Sequence, residues 1–280
     1  LKVLAALDLQ AGSEAVLRWV KEMGRAGPIE LVPCHVRPPA SPSAALADTP
    51  DLQQQLQREL RKLVRDQVAI DVSEAIVVQS AGEPADAVIE CAWRVHADLV
   101  VVGTHRRHGI SRLFHGSVSR RLLHEAGLNV ACVPTSTEFD PRGAHIPEYR
   151  RVLVATDFSP LGNAAIPFAC GACSIGGLVR LVHVAKPSRT TPPVREELHS
   201  RLHDLIPAET GARCQPPDVV VLEHRSPAAA ICAEAERFGA DLVCLSSHGL
   251  GASTAFHGSV ARAVLRKIRR PVLIIRRPED

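Results

Sequence analysis

The chain has 280 residues, of which 46% are apolar and 22% are charged, with a formal net charge of +3. This length is typical of two domains, and the composition excludes a disordered chain or a coiled coil. Aromatic residues make up only 3% of the chain, which leaves few surfaces on which nucleic-acid bases could stack. We therefore expect no nucleic-acid partner.

The sequence pattern predicts neither a membrane-spanning helix nor a secretory signal. The best apolar run is the size of a strand, far below the roughly 18 residues that a membrane helix needs. The N-terminal segment does not combine a basic stretch with an apolar one, as secretory signals do. We therefore expect a cytoplasmic protein without a membrane partner.

Eight cysteines are present, and most of them lie in apolar stretches, where a free cysteine behaves as a small buried hydrophobe. Cys170 and Cys173 have the CxxC spacing, but their surroundings indicate the middle of a helix rather than the helix N-terminus that activates redox thiols. Two packed thiols are therefore predicted there, with a redox pair as the alternative. No second cysteine pair with zinc spacing accompanies them, so no metal site is predicted.

In the first half, short apolar runs alternate with helical patterns. Strands are predicted near residues 1–7, 29–36, 75–80, 98–102 and 129–133. Helices are predicted near residues 13–26, 51–67, 83–96 and 117–126. The stretch 38–50 is rich in proline, serine and alanine and is predicted to be a loop.

The second half shows the same alternation. Strands are predicted near residues 151–156, 178–184, 218–222, 241–246 and 271–275. Helices are predicted near residues 160–174, 194–206, 226–238 and 259–268. Residues 141–148, with two prolines and a glycine, are predicted to be a linker between domains 1–140 and 149–280.

The two halves also share four motifs in the same order. Each half begins with a basic residue and an apolar run that ends in aspartate, and a later strand ends in His-Val. An Ala-Asp pair then opens a third apolar strand, and a Gly-rich loop ends in His-Gly-Ser-Val. The matched blocks begin at residues 2, 31, 97 and 115 in the first half and at 151, 179, 240 and 257 in the second. Such a repeated order indicates a duplication.

Strands that alternate with helices indicate an α/β fold with a parallel sheet covered on both faces. Ligands of such sheets bind beyond the carboxyl ends of the strands, where the strand order reverses. The shared motifs end at this edge, and the Gly-Ser turns lead into helices whose N-termini favour anions. Ordinary helix capping is the alternative explanation of these turns.

These motifs resemble the universal stress protein family over nearly the whole chain, twice over, and residues 155–159 are a typical family opening. The resemblance implies two Rossmann-like (adenine nucleotide alpha-hydrolase-like) domains in tandem, each a five-stranded parallel sheet with helices on both faces. Many members bind ATP without catalysing a defined reaction, and they pair through their last strands. It therefore implies ATP, with or without magnesium, as ligand, pairing of the two domains within the chain, an unknown protein partner, and a homodimer as an option.

The family's ATP-binding loop has the pattern Gly, two residues, Gly, nine residues, then Gly followed by Ser or Thr. In the first repeat Gly103, Gly116 and Ser117 match, while Arg106 replaces the second glycine. A bulky residue is disfavoured where a positive φ is required, yet a guanidinium is a good partner for phosphates.

In the second repeat Gly249, Gly258 and Ser259 match, but Ser246 replaces the first glycine and the later spacing is eight residues. The resemblance implies that Asp8 or Asp157 contacts the nucleoside. It also implies that the backbone of Val36 or Val184 reads the adenine edge, and that Gly103, Gly116 and Ser117 hold ribose and phosphates.

The resulting expectation is a non-catalytic stress-response protein that binds ATP in its first repeat. The chain contains neither a Walker P-loop nor a GxSxG nucleophile elbow. Two alternatives stay open: a nucleotide-independent interaction module whose degenerate loops only cap helices, and a slow nucleotide hydrolase that uses the same pocket.

Overall fold

The computed structural model describes residues 1–37, 50–68, 72, 74–80, 82–104, 121–122, 127–135, 148–208, 210, 214–247 and 259–276. The chain divides into two compact units, Leu1–Ile146 and Pro147–Asp280. The predicted linker 141–148, the predicted loop 38–50 and the predicted helix near 117–126 lie almost entirely outside the described residues.

The first unit contains a parallel sheet in the order β3-β2-β1-β4-β5. Its strands are β1 (Lys2–Ala6), β2 (Glu30–Arg37), β3 (Ile76–Gln79), β4 (Leu99–Thr104) and β5 (Asn129–Pro134). Its described helices are α1 (Ala11–Ala26), α2 (Pro50–Val68) and α3 (Pro84–Arg94).

The second unit repeats this topology, with a parallel sheet in the order β8-β7-β6-β9-β10. Its strands are β6 (Arg151–Ala155), β7 (Leu178–Ala185), β8 (Asp218–Glu223), β9 (Leu242–Ser246) and β10 (Val272–Ile275). Its described helices are α4 (Pro160–Ala172), α5 (Pro192–Asp204), α6 (Pro227–Phe238) and α7 (Ser259–Lys267), and Pro187–Arg189 form a 3-10 turn. The predicted α/β class with two repeated five-stranded sheets is confirmed.

The central strand of each sheet forms the core. Val3, Leu4 and Ala5 of β1 are inaccessible to solvent, and Val152 and Leu153 of β6 match them. Strands of a parallel sheet are covered on both faces, which explains why their sequences are apolar throughout rather than alternating. None of the described helices combines the length and apolar character needed to cross a membrane.

The Ala-Asp motif has a structural role at the other end of these strands. The Asp98 carboxylate accepts the Lys2 N–H at 2.7 Å, and the Asp241 carboxylate accepts the Arg151 N–H at 2.9 Å. Each aspartate therefore satisfies the first backbone donor of a central strand. Burial raises the pKa of Asp241, and the hydrogen bond from Arg151 opposes that rise.

Two helix ends differ from the predictions. The helix predicted over 83–96 ends at Arg94, because His96 has a left-handed backbone (φ 52°) that a helix cannot continue; Gly239 adopts the same conformation (φ 65°) after α6. The CxxC pair lies at the end of α4, not in its middle. Cys170 is in the last turn and Cys173 is the C-cap residue with an extended backbone, and both are buried and not in a disulfide.

Candidate functional site

The candidate site of the first unit lies where the strand order reverses. β1 has β2 on one side and β4 on the other, and Ala6 pairs with both Cys34 and Val102. Asp8 lies two residues after Ala6, and Val36 lies two residues after Cys34. Gly103 directly follows Val102. The register therefore brings the three predicted residues to one edge of the sheet, which is the ligand position of doubly wound folds.

The second unit has the same arrangement around β6. Ala155 pairs with Val182 on β7, and Val154 pairs with Cys244 on β9. Asp157 and Val184 therefore share one edge with Ser246, the last residue of β9. Among the described residues, the two candidate sites share this strand register and differ in side chains such as Gly103, which Ser246 replaces.

Both aspartates are held by the turn that follows them. Asp8 Oδ1 accepts the Gln10 N–H at 2.9 Å and the Ser13 hydroxyl at 2.7 Å. Asp157 Oδ1 accepts the Ser159 N–H at 3.0 Å and the Ser159 hydroxyl at 2.6 Å. Two hydrogen bonds to one carboxylate oxygen fix the orientation of the carboxylate. Each site therefore carries an oriented carboxylate at the end of its central strand.

The residue after each aspartate has a left-handed backbone, with φ 59° at Leu9 and φ 65° at Phe158. A non-glycine residue in this region costs about 1–3 kcal/mol and usually marks a functional or strongly constrained position. The same strain at the same place in both repeats shows that this turn, which aims the aspartate, is part of the shared scaffold.

A histidine holds the neighbouring strand against this turn. The His35 ring Nδ1 donates to the Leu7 carbonyl at 2.8 Å, and the His183 ring Nδ1 donates to the Thr156 carbonyl at 3.0 Å. Because a carbonyl only accepts, Nδ1 carries the proton in both rings. Burial lowers the pKa of His183, and the bond to the Thr156 carbonyl opposes this shift.

In the first unit, the residue after this histidine directs its backbone groups toward the site. The Cys34 carbonyl accepts the Leu7 N–H at 2.8 Å, so Cys34 directs its backbone groups toward β1. Val36, two residues further along the same strand, points its N–H and carbonyl in the same direction, past the end of β1. The Leu7 carbonyl, which a continuing ladder would offer to Val36, receives the His35 imidazole.

Gly103 is required by packing. A Cβ at this position would lie 2.7 Å from Thr135 Cγ2 and 3.4 Å from Val16 Cγ2. Real Cβ atoms do not approach a neighbour so closely, since favourable carbon contacts lie near 3.5–4.0 Å. Ser246 occupies the equivalent position of the second unit, so this close approach is specific to the first.

The second unit carries a side-chain stack that the first lacks. The Phe158 ring lies with its centroid 4.5 Å from that of His183, and the Arg201 guanidinium of α5 lies 4.1 Å from the Phe158 centroid. Leu9 stands in place of Phe158 in the first unit. A cation over an aromatic face is attractive by about 0.5–2 kcal/mol, so this stack fixes Phe158 beside Asp157.

Several predicted residues lie outside the described part of the chain: Arg106, Gly116, Ser117, Gly249 and Gly258. Ser259 is described and begins α7 with its side chain exposed. Within the described ranges, no group of three or more histidine, cysteine, aspartate or glutamate side chains is arranged to hold a metal ion.

Sequence reasoning placed His35 and His183 at the site but missed their bonds to the central strand. It also missed Ser13 and Ser159 as partners of the aspartates. The recurrence of the histidines 148 positions apart is the signal that could have predicted a shared role. Arg201 belongs to no shared motif, so nothing in the sequence pointed to it.

Comparisons with known proteins agree with this geometry. The model of the universal stress protein family matches residues 1–134 and 148–276. A universal stress protein of Mycobacterium bovis is 32% identical over an alignment of 193 positions, which covers 64% of this chain and 62% of that relative. One of Mycolicibacterium smegmatis is 28% identical over an alignment of 303 positions, which covers 98% of this chain and 96% of the relative.

Solved structures show the same fold. A universal stress protein of Archaeoglobus fulgidus has a TM-score of 0.71 at 19% identity, covering 99% of this chain and 98% of its own. A Pseudomonas aeruginosa protein described as functionally unknown has a TM-score of 0.60 at 14% identity, covering 98% of this chain and 92% of its own. Because the family model matches both halves, the chain belongs to the universal stress protein family and carries its domain twice.

Proposed function

We propose that the protein binds ATP in its first repeat and acts in the stress response as a regulator rather than a catalyst. The observation that carries this proposal is the convergence of Asp8, Val36 and Gly103 on one edge of the sheet, beyond adjacent strand ends. That edge is where open α/β sheets bind their ligands.

Backbone groups would recognise the base, and a carboxylate side chain would recognise the ribose. The Val36 N–H and carbonyl offer one donor and one acceptor, as the edge of an adenine requires. The Asp8 carboxylate, oriented by Gln10 and Ser13, is an acceptor for ribose hydroxyls. A nucleoside held in this way would leave its phosphates toward the end of β4.

The phosphates would be held at Gly103 and by the loop that follows it. Gly103 carries no side chain that could obstruct an approach to the backbone. Arg106, Gly116 and Ser117 would supply a guanidinium, a backbone N–H and a hydroxyl. Magnesium would enter with the phosphates.

The first repeat is favoured over the second for two reasons. Ser246 stands where the first repeat has Gly103, and Phe158 is packed beside Asp157 by Arg201 and His183. If ATP binds only to the native state, it would stabilise the first repeat by about 2.7 kcal/mol at a concentration one hundred times Kd. Bound nucleotide would then alter the surface offered to a protein partner.

The two aspartates provide a matched pair of variants for the test. Asp8→Ala and Asp157→Ala each remove a carboxylate that accepts one backbone N–H and one serine hydroxyl. Their structural costs should therefore be similar. The measurement is the thermal midpoint with and without millimolar Mg-ATP; we expect a rise for the wild type and for Asp157→Ala, and none for Asp8→Ala.

Other outcomes identify other functions. If ATP shifts the midpoint of Asp8→Ala but not that of Asp157→Ala, the second repeat is the binding site. If the wild type does not respond, the nucleotide-independent interaction module replaces the proposal. Phosphate release that the Asp8→Ala substitution abolishes would instead favour the slow hydrolase.

A further inference from the structure

We propose that His199 and His203 on α5 form a binding site for a divalent transition-metal ion of the zinc, nickel and copper group. The two residues are four positions apart on one continuous helix, so they lie one above the other on the same helix face. Both residues are exposed to solvent, which gives an ion direct access to their rings. The proposal does not depend on nucleotide binding in the first repeat.

The two imidazole rings are already close enough to share one ion. Their centroids are 4.8 Å apart, and the ring planes are inclined by 60°. A metal bound at about 2.1 Å to one nitrogen of each ring would lie about 3.2 Å from each centroid. The observed centroid separation then corresponds to a nitrogen–metal–nitrogen angle of about 100°, between the values of square or octahedral coordination and that of tetrahedral coordination. The spacing of the rings therefore suits bidentate binding without a change in the backbone of α5.

The ring nitrogens of this pair are available as ligands. Among the described residues, the contact between the two rings is the only hydrogen bond, ion pair or ring contact that either side chain makes. His35 and His183 differ in this respect, because each uses its Nδ1 to bind a backbone carbonyl. A neutral imidazole nitrogen is the commonest metal ligand in proteins.

The helix holds the two ligands in place before an ion arrives. Leu202, directly before His203, is inaccessible to solvent and anchors this turn of α5 on the core of the second unit. Ligands that are fixed in advance lose less conformational freedom on binding, which favours affinity. Helix α2 of the first unit contains no histidine, so this pair belongs to the second repeat alone.

The chemistry of the ligands selects the ion. Imidazole nitrogens suit zinc, nickel and copper, whereas magnesium and calcium prefer oxygen ligands. Two protein ligands are fewer than a closed structural zinc site has, so water would complete the coordination. This agrees with the finding that, in the described ranges, no group of three or more candidate metal-binding side chains is arranged around one point. The bound ion is therefore exchangeable.

An ion on the pair would also act on the turn of α5 that reaches the second candidate site. Arg201 lies between the two histidines in the sequence, and its guanidinium is 4.1 Å from the centroid of the Phe158 ring. Chelation across this turn opposes its fraying and so holds the residue that packs Phe158 beside Asp157. Metal occupancy would thus be linked to the order of the second site.

The test uses the full chain without a histidine tag and Ni²⁺ as the probe, at about pH 7.5, where an ordinary imidazole is mostly neutral. The chain has 13 histidines, so binding must be assigned to residues as well as measured. Calorimetry gives the affinity, and the paramagnetic broadening of imidazole signals in NMR spectra gives the location. We expect the signals of His199 and His203 to broaden first and together.

A swap of two neighbouring residues is the matched control. His203→Asp combined with Asp204→His keeps the composition and the charge, but it places the two imidazoles five positions apart, about 140° from each other around the helix. Loss of chelation should weaken Ni²⁺ binding by at least about tenfold. His199→Gln should have the same effect, and it serves as the second variant if circular dichroism shows that the swap disturbs α5.

Zn²⁺ should slow amide hydrogen exchange in the last two turns of α5 in the wild type but not in the swapped variant. The proposal is overturned if the folded variants bind Ni²⁺ as tightly as the wild type. It is also overturned if the broadening centres on other histidines, or if the wild type binds no Ni²⁺ at millimolar concentration.

Discussion

Replacement of Gly103 by alanine tests whether the end of β4 is shaped by packing. A Cβ there would lie 2.7 Å from Thr135 Cγ2, about 1 Å inside a favourable carbon contact. Relief requires Thr135 to move, and its N–H and hydroxyl both donate to the Thr104 carbonyl at 3.2 Å. Overpacking costs about 1–3 kcal/mol, so we expect Gly103→Ala to lower the free energy of unfolding by about 2 kcal/mol.

A second substitution tests whether the clash is with the Cγ2 methyl of Thr135. Thr135→Ser removes the Cγ2 methyl but keeps the hydroxyl, and alone it should cost no more than about 0.8 kcal/mol, the value of one buried methylene. In the double variant the new Cβ can occupy the vacated space. The double variant should therefore be more stable than the sum of the two single losses predicts, by at least about 1 kcal/mol.

The assay is urea unfolding followed by tryptophan fluorescence. The chain has two tryptophans, Trp19 and Trp93, and both belong to the first unit. Their signal therefore reports on the unit that contains Gly103, even when the two units unfold separately. The free energy of unfolding follows by linear extrapolation to zero urea.

Gly171→Ala is the control. Gly171 is exposed within α4 and a Cβ there would meet nothing within 4 Å, so alanine should stabilise the second unit by about 0.5–1 kcal/mol, which circular dichroism would detect. If the losses of Gly103→Ala and Thr135→Ser add without coupling, the close contact with Thr135 is not the reason for the glycine.

The helix caps and the buried imidazole of the second unit give two further predictions. Ser159→Ala should lower the free energy of unfolding by about 1–2 kcal/mol, because the Ser159 hydroxyl accepts the Gly162 N–H at 2.9 Å. Ser226→Ala should lower it less, because the bond from the Ala229 N–H to Ser226 is 3.4 Å long. Equal losses in thermal melts would contradict this order. Burial lowers the pKa of His183 in the folded state, so its contribution to stability is fully present above the unfolded value of about 6.5 and is lost as the pH falls below that value and through the lower folded pKa. An NMR titration that placed the pKa of the His183 ring above 6.5 would contradict the burial argument.

The fold was predictable because its signals are local and occur twice. Alternating apolar runs and helical patterns, with one aspartate ending the first strand of each half, were sufficient to predict two parallel sheets. The same motifs predicted that Asp8, Val36 and Gly103 share one edge, since neighbouring parallel strands end together.

The remaining features depend on contacts between distant residues. The left-handed backbone of Leu9 and Phe158 contradicts the intrinsic preference of both residue types, so only the surrounding structure imposes it. The bond from His35 to Leu7 spans 28 positions, and the contact of Arg201 with Phe158 spans 43 positions. No motif connects either pair, and local pattern therefore could not predict them.

Each sheet contains its own complete set of strand neighbours and its own copy of the aspartate turn. After a duplication of this kind, one half can keep the original function. The other half can then accumulate substitutions that would abolish the function of a single-copy protein. Gly103 in one half and the Phe158–Arg201 stack in the other are differences of that sort, placed on equivalent backbone positions. The two halves can therefore diverge in specificity through side chains alone, with no change in the architecture that both inherit.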